Sequence, residues 1–321
     1  MKEQSKPLVS IICTTYNHEL FIVDCLEGLV NQQTNFKFEI IVHDDASKDN
    51  TSEILKSYEV KYPELFNNIY QTENQYSKGT VNIWTDILFP RAKGKYIAIC
   101  EGDDYWSDYY KLQKQVDFLE QNPSYSLCVG GYSGNSLQTG DKFEAIYNRK
   151  VNDAGRKGFS FDLEDMKHRW FFSTLTAVFV NRPALLAFMK RHKYARDIHL
   201  FYYCMKLGDG FYFKESLGVY NIHSNGVFSG IEESKRIKEH HMLYKDIWEV
   251  NKDDFSRHVY YRVILNYFNA SFYNRNITKN LRFSVGLLLS SFPLIKNFKD
   301  ILYFFYRLLP PFPQTGSSKR Q

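Results

Sequence analysis

Residues 96–106 read YIAICEGDDYW, and the junction inside this stretch decides the fold. Tyr96 to Cys100 is a short apolar run without polar alternation, the pattern of a strand covered on both faces. It ends in three carboxylates, Glu101, Asp103 and Asp104. A strand that stops in an acidic turn places charge at its carboxyl end, which is where open α/β sheets bind their ligands. Gly102 lets the backbone turn closely, and alternate positions can aim two carboxylates at one ligand. Hard oxygens of this kind suit Mg2+ or Mn2+. Taken alone, the same turn reads equally well as a solvated acidic loop.

Working outward, the pattern recurs. LVSIICTTY (Leu8 to Tyr16) is a β-branched apolar run that reads as the first core strand, and Asn17 is placed to cap the helix after it. FEIIVHDD (Phe38 to Asp45) reads as a second strand ending in acid, followed by the turn ASKDNT and a helix stopped near Pro63. A shorter strand is expected at Ile69 to Thr72. Helical pattern follows up to Pro90, and an amphipathic helix is expected over Lys111 to Gln121. SLCVGGYS and Thr174 to Asn181 are further strand candidates, Gly134 to Gly158 reads as a mobile surface loop, and Arg196 to Leu207 as a helix. The alternation predicts a doubly wound α/β layer, with Asp44, Asp45, Glu101 and Asp103 gathered at strand carboxyl ends. In such a site, Asp44 and Asp45 would accept hydrogen bonds from a base or ribose, and an ion at Asp103 would bridge a nucleotide diphosphate. Ser47 and Asp49 read more simply as turn and helix-start residues.

The chain has 321 residues, of which 44% are hydrophobic and 17% aromatic, enough to build a large core and to exclude intrinsic disorder. Its net charge of +5 comes from 41 basic and 36 acidic residues, with no long basic run before the C-terminus, so no nucleic acid partner is expected. Cys13, Cys25, Cys100, Cys128 and Cys204 are widely spaced without CxxC pairs, which predicts reduced, buried thiols in a cytoplasmic protein. The N-terminal apolar run is too short for an export signal. Near the C-terminus, FSVGLLLSSFPLIKNFKDILYFFYRLLPPF is interrupted by Pro293, Lys296, Lys299 and Asp300, so no stretch reaches the ~20 residues needed to span a bilayer. It reads either as a segment lying on the inner face of the cell membrane or as a helix hairpin packed on the protein.

VSIICTTYNHE, EIIVHDDASKDNT and AKGKYIAICEGDDYW resemble, in order and spacing, the motifs of family-2 glycosyltransferases of the GT-A fold. The resemblance covers roughly residues 7 to 230 and includes YNIHSNGVFS, similar to a histidine-containing motif that closes the nucleotide site in a bacterial subgroup. It implies a GT-A catalytic domain over 1–230, a Rossmann-like mixed sheet flanked by helices, and a helical, aromatic-rich extension over 231–321. It also implies Mn2+- or Mg2+-dependent, inverting transfer from a nucleotide-sugar donor, a UDP-sugar, to a glycan or lipid-linked acceptor in cell-envelope polysaccharide assembly.

By the same resemblance Thr14 and Tyr16 line the nucleotide pocket, Asp44 or Asp45 holds the base, and Lys78 lies near it. Asp103 binds the metal, and His223 ligates it or contacts the diphosphate, with a structural histidine as the alternative. Glu101 stands where the family's DxD signature usually has Asp, keeping charge but extending reach, and Asp104 joins it among the donor-binding residues. Asp197 is the expected base, in an Arg196-Asp197 pair where Glu-Asp or Gly-Asp is usual; a carboxylate merely favoured at a helix N-terminus is the alternative. Asp165 and Asp209 are weaker candidates for the base. The absence of GxGxxG after the first strand argues against a NAD-dependent enzyme. The Glu101 departure keeps open an inactive nucleotide-sugar-binding scaffold.

Overall fold

In the computed structural model, residues 6–147, 157–168, 170–224, 226, 233–273 and 281–308 are described. The strands, in chain order, are β1 (Val9–Thr15), β2 (Phe38–Asp44), β3 (Ile69–Tyr70), β4 (Tyr96–Glu101), β5 (Tyr125–Ser136), β6 (Lys142–Ala145), β7 (Gly158–Phe161), β8 (Val178–Val180) and β9 (Asp209–Ile222). They form one sheet in the order β3-β2-β1-β4-β8-β5-β9-β7, with β6 paired to β5. β3, β2, β1 and β4 are mutually parallel; β8 then runs antiparallel between β4 and β5, and β9 is parallel to β5. The sheet is therefore mixed and lacks the uniform parallel order of simple double winding.

The continuous apolar runs are explained by burial on both faces. Val9, Ile11 and Cys13 join Ile40, Val42, Ala98 and Cys100 on the face covered by α1 (Ile22–Val30), α2 (Thr51–Lys61) and α4 (Lys111–Gln121). Ile12, Ile41, Ile97 and Ile99 point the other way and are equally buried. Each such side chain contributes about 1.5–3 kcal/mol relative to exposure. The five cysteines are free and buried, and the thiols of Cys13, Cys25 and Cys100 stack in this core at 3.9 and 3.8 Å.

Several elements differ from the sequence reading. Gly134 to Ser136 and Lys142 to Ala145 belong to the β5–β6 hairpin, not to an open loop, while 148–156 lie outside the described residues. The segment before Pro90 is a π-helical turn, Ile83–Leu88, started by Asn82, whose side chain accepts from the Trp84 and Thr85 amides. Thr174–Thr176 is a 3-10 turn leading into β8. The long strand β9 has no counterpart in the sequence reading. Its pairing with β5 jumps from Gly130↔Phe213 to Gly131↔Ser216, leaving Lys214 and Glu215 outside the ladder, and that charged interruption hides the strand in the sequence.

Three short helices complete the sheet's surroundings as far as they bear on the site: α3 (Gln75–Lys78), α5 (Leu163–His168) and α6 (Pro183–Met189) precede α7 (Asp197–Leu207). The chain divides into two compact units, residues 1–191 with 195–229, and 192–194 with 230–321. The second unit comprises α8 (Glu233–Asn251), α9 (Asp254–Tyr273), α10 (Leu281–Ser291) and α11 (Phe298–Leu308). Its core gathers Tyr260, Tyr261, Ile264, Leu265, Leu287, Leu294 and Phe304. Among the described residues no helix is long and apolar enough to cross a membrane.

Candidate functional site

The site begins at the carboxyl end of β1, between β2 and β4. Thr14 stands opposite Glu101 and Thr15 opposite Asp44. The Asp45 amide donates to Thr15 O at 3.0 Å and the Gly102 amide to Thr14 O at 2.9 Å, so both acidic runs leave the sheet beside the same strand end. The departures are sharp. Asn17 (φ 54°) and Ala46 (φ 65°) both lie in the left-handed region, which is costly for residues other than glycine. Asn17 does not cap α1: its side chain accepts from the Lys48 amide at 2.7 Å and its own amide donates to Ser47 Oγ at 2.9 Å. His18 N donates to Thr51 Oγ1 and Glu19 N to Asp49, which completes a staple between the two loops.

Asp44 and Asp45 are buried and well supplied with donors. Asp44 accepts from the Ser47 amide at 3.1 Å and from the Ser47 and Ser52 hydroxyls. Asp45 accepts the Gln75 amide at 2.7 Å and the Tyr76 amide at 2.9 Å, and so holds the N-terminus of α3, which carries Lys78. Lys78 itself is ion-paired with Glu73. Tyr16 is exposed and Thr14 half-buried at the strand end.

The acidic turn is built differently. Gly102 is required by packing, since a Cβ there would approach Thr15 Oγ1 to 2.6 Å. Glu101, Asp103 and Asp104 crowd together, each offering an oxygen within 4.8 Å of the others. The end of β9 clamps them from outside. Val219 and Tyr105 exchange backbone hydrogen bonds of 2.8 and 3.2 Å, the Asn221 amide donates to Asp104 Oδ1 at 2.9 Å, and the Asn221 side chain donates to Asp103 O at 2.7 Å. Gly218 permits this approach, because a Cβ there would meet Tyr105 O at 2.8 Å. The strand then delivers His223, whose Nε2 lies 3.1 Å from Asp103 Oδ2; His18 Nε2 lies 3.8 Å from the same oxygen.

This crowding has electrostatic consequences. Burial, then the charges of Asp103 and Asp197, push the Glu101 carboxyl up to about 8, with Arg196 pulling the other way. Burial, with Asp103 and Glu101, holds Asp104 well above the usual carboxylate range although the Asn221 amide donates to it. Burial lowers the His18 imidazole below its ordinary value against the attraction of Asp103, which favours the neutral ring that can act as a ligand.

Asp197 opens α7, is exposed, and accepts its neighbour Ile198 N at 2.8 Å. Arg196 lies with its guanidinium 4.9 Å from the Tyr76 ring centre and donates to the Tyr76 hydroxyl, so it reaches toward α3. The alternatives to Asp197 stand elsewhere: Asp165 exchanges hydrogen bonds with Asp162 at the start of α5, and Asp209 begins β9, at the opposite end of that strand from His223. An open cleft of about 300 Å³ lies between the β1–α1 and β2–α2 loops, with Phe21, Lys48 and Asp49 in its wall and His223 at its edge.

The sequence reading missed His18, Thr15, Asn221, and the Tyr76–Arg196 contact. His18 and Thr15 belong to the quoted TTYNHE stretch, but only the turn around Gly102 shows their relevance. Thr15 Oγ1 and His18 Nδ1 are buried without a hydrogen-bond partner, both facing Gly102. Hard carboxylate oxygens, a neutral imidazole and these two orphaned polar atoms form a donor set that fits a divalent cation with an oxygen-rich ligand.

The model of the family described as glycosyl transferase family 2 matches residues 10–181, more than half of the chain. A putative teichuronic acid biosynthesis glycosyltransferase, TuaG of Bacillus subtilis, is 34% identical over 136 residues, 42% of this chain and 50% of that protein. The chain spans 34% to 50% of the length of the first curated relatives that it matches. The structure of S. aureus TarS 1–349 in complex with UDP-GlcNAc superposes with a TM-score of 0.62 at 16% identity, covering 90% of this chain and 81% of that one. Mannosyltransferase PcManGT from Pyrobaculum calidifontis, in complex with GDP-Man and Mn2+, gives 0.55 at 17% identity, covering 94% and 80%. Matched over the strands that build the acidic edge and superposing on these folds, the chain belongs to glycosyltransferase family 2 and has the GT-A fold.

Proposed function

We propose that the chain transfers a sugar, with inversion, from a nucleotide-diphosphate donor, a UDP-sugar, to a hydroxyl of a glycan or lipid-linked acceptor in cell-envelope polysaccharide assembly. The observation that carries the reading is the meeting of Asp103 and His223, 3.1 Å apart, at the carboxyl edge of the sheet. Family membership supports the reaction type. UDP-GlcNAc in TarS, GDP-Man and Mn2+ in PcManGT, and the teichuronic acid assignment of TuaG support the donor class, the cation and the setting.

In this reading Asp103 and His223 hold a divalent cation, Mn2+ or Mg2+, which supplies positive charge to stabilise the departing diphosphate. Thr14, Tyr16, Asp44, Asp45 and Lys78 surround the nucleotide, and Glu101 and Asp104 complete the donor site. Asp197 takes the proton from the acceptor hydroxyl as its oxygen attacks the anomeric carbon. The bond from that carbon to the diphosphate breaks, and its electron pair leaves on the phosphate oxygen. Replacing Asp197 by Asn is expected to abolish UDP release from UDP-sugars while nucleotide binding persists. Undiminished turnover by Asp197→Asn would remove the base assignment, and UDP binding without turnover by the wild type would favour the scaffold reading.

A further inference from the structure

In the second unit the polarity of α11 is reversed relative to an ordinary surface helix. Phe298, Ile301, Leu302, Phe305 and Tyr306, spaced i, i+3, i+4, i+7 and i+8, are all exposed, Phe298 at 71% and Phe305 at 61%. Val285, Leu289 and Phe292, on α10 and the turn after it, are exposed as well. The one acidic residue of 281–308, Asp300, is buried instead.

The rotation of α11 is fixed from within the unit. Asp300 Oδ2 accepts from Arg257 Nη1 of α9 at 2.9 Å and from the Lys296 amide at 3.0 Å, while Asp300 O accepts from the Tyr261 hydroxyl. Arg257 also donates to Leu294 O at 2.6 Å. A buried ion pair of this kind is weak evidence for stability and better evidence for fixed register. Here it turns Phe304 inward and the aromatic stripe outward. The charges left exposed beside the stripe are cationic, Lys296 and Lys299.

We propose that the exposed stripe of α11, with Phe292 beside Phe304 of that helix, docks in the plane of an anionic lipid bilayer. An aromatic and aliphatic stripe bordered by lysines, with no exposed acid in 281–308, has the charge and polarity of an interfacial anchor. Helices of 11 residues cover only about 16 Å and lie on such a surface without spanning it. A second copy of the chain fits less well, because a two-fold contact would set the same lysines against each other without a neutralising acid from this segment. Residues 309–321 bring only Leu309 and Phe312 as large apolar side chains, too few to cover the stripe.

The test is cosedimentation of the full chain with vesicles of phosphatidylcholine alone and of phosphatidylcholine with phosphatidylglycerol. It reads binding, so its outcome is independent of whether the sugar-transfer reading stands. Binding is expected to the anionic vesicles and to weaken with salt. Phe305→Glu is expected to weaken it about tenfold or more. Lys296→Gln and Lys299→Gln, at exposed positions that leave the fold untouched, should each weaken it about fivefold on anionic vesicles. No binding to either vesicle, or binding unchanged in all three variants, overturns the proposal. So does a wild-type dimer that Phe305→Glu dissociates in the absence of any vesicle binding, which would assign the face to a second copy.

Discussion

Asp44–Asp45 and Glu101–Asp104 stand at the ends of the two strands that flank β1, yet they are built on opposite principles. The first pair is buried and supplied with backbone and hydroxyl donors from Ser47, Ser52, Gln75 and Tyr76. The second cluster turns carboxylates toward one another and toward two imidazoles, and burial with mutual repulsion raises Glu101 and Asp104. Carboxylates supplied in the first way also brace the loops that carry them. A group of carboxylates left in conflict is the arrangement that the proposed cation would complete. Ala46, next to the first pair, lies in the left-handed region, while Thr15 Oγ1 and His18 Nδ1, beside Gly102 of the second cluster, are buried without a hydrogen-bond partner.

If that contrast is right, the two clusters respond in opposite directions to loss of charge. Asp45→Ala strips the partner from two amides at the start of α3 and should lower the unfolding free energy by roughly 3 kcal/mol in denaturant titrations. A loss under about 1 kcal/mol would break the comparison. Glu101→Gln should do the reverse without added metal. Because Glu101 is raised in the folded state, the folded protein binds more protons than the unfolded chain between the ordinary carboxylate range and about pH 8. Its stability therefore falls as pH rises through that window, and Glu101→Gln should flatten the slope. Saturating Mn2+ should flatten it in the wild type as well, since the ion favours the ionised carboxylates. The smallest effect is expected at Ala46, where glycine relieves the left-handed strain but adds freedom to the unfolded chain; Ala46→Gly should stabilise by no more than about 1 kcal/mol.

The division between legible and hidden features follows the same physics. Strands β1, β2 and β4 were readable because burial on both faces leaves uninterrupted apolar runs, and their acidic ends because a charge directly after such a run is conspicuous. β9 was hidden: the Lys214–Glu215 bulge and Gly218 break its pattern, although those features let it bend and clamp the turn through Asn221. His223 was found through the YNIHSNGVFS resemblance, whereas its distance from Asp103 depends on β9. His18 and Thr15 escaped notice because their surroundings are made by Gly102, almost 90 positions away in the chain. Asn17 was read as a helix cap because its residue type allows it; the observed loop staple uses the same side chain to accept from a different amide.

The central claim is that Asp103, with His223, forms a cation site that completes a nucleotide-diphosphate pocket. It is tested most directly by the thermal stability of the full chain with UDP, with and without Mn2+, in wild type and Asp103→Asn. The wild type should be stabilised by UDP and Mn2+ together far more than by either alone. Asp103→Asn should weaken that combined binding by more than the about 10–100-fold that loss of an outer hydrogen-bond partner costs a metal site. Stabilisation by UDP that persists in a chelator, or a full Mn2+-dependent shift in Asp103→Asn, would contradict it.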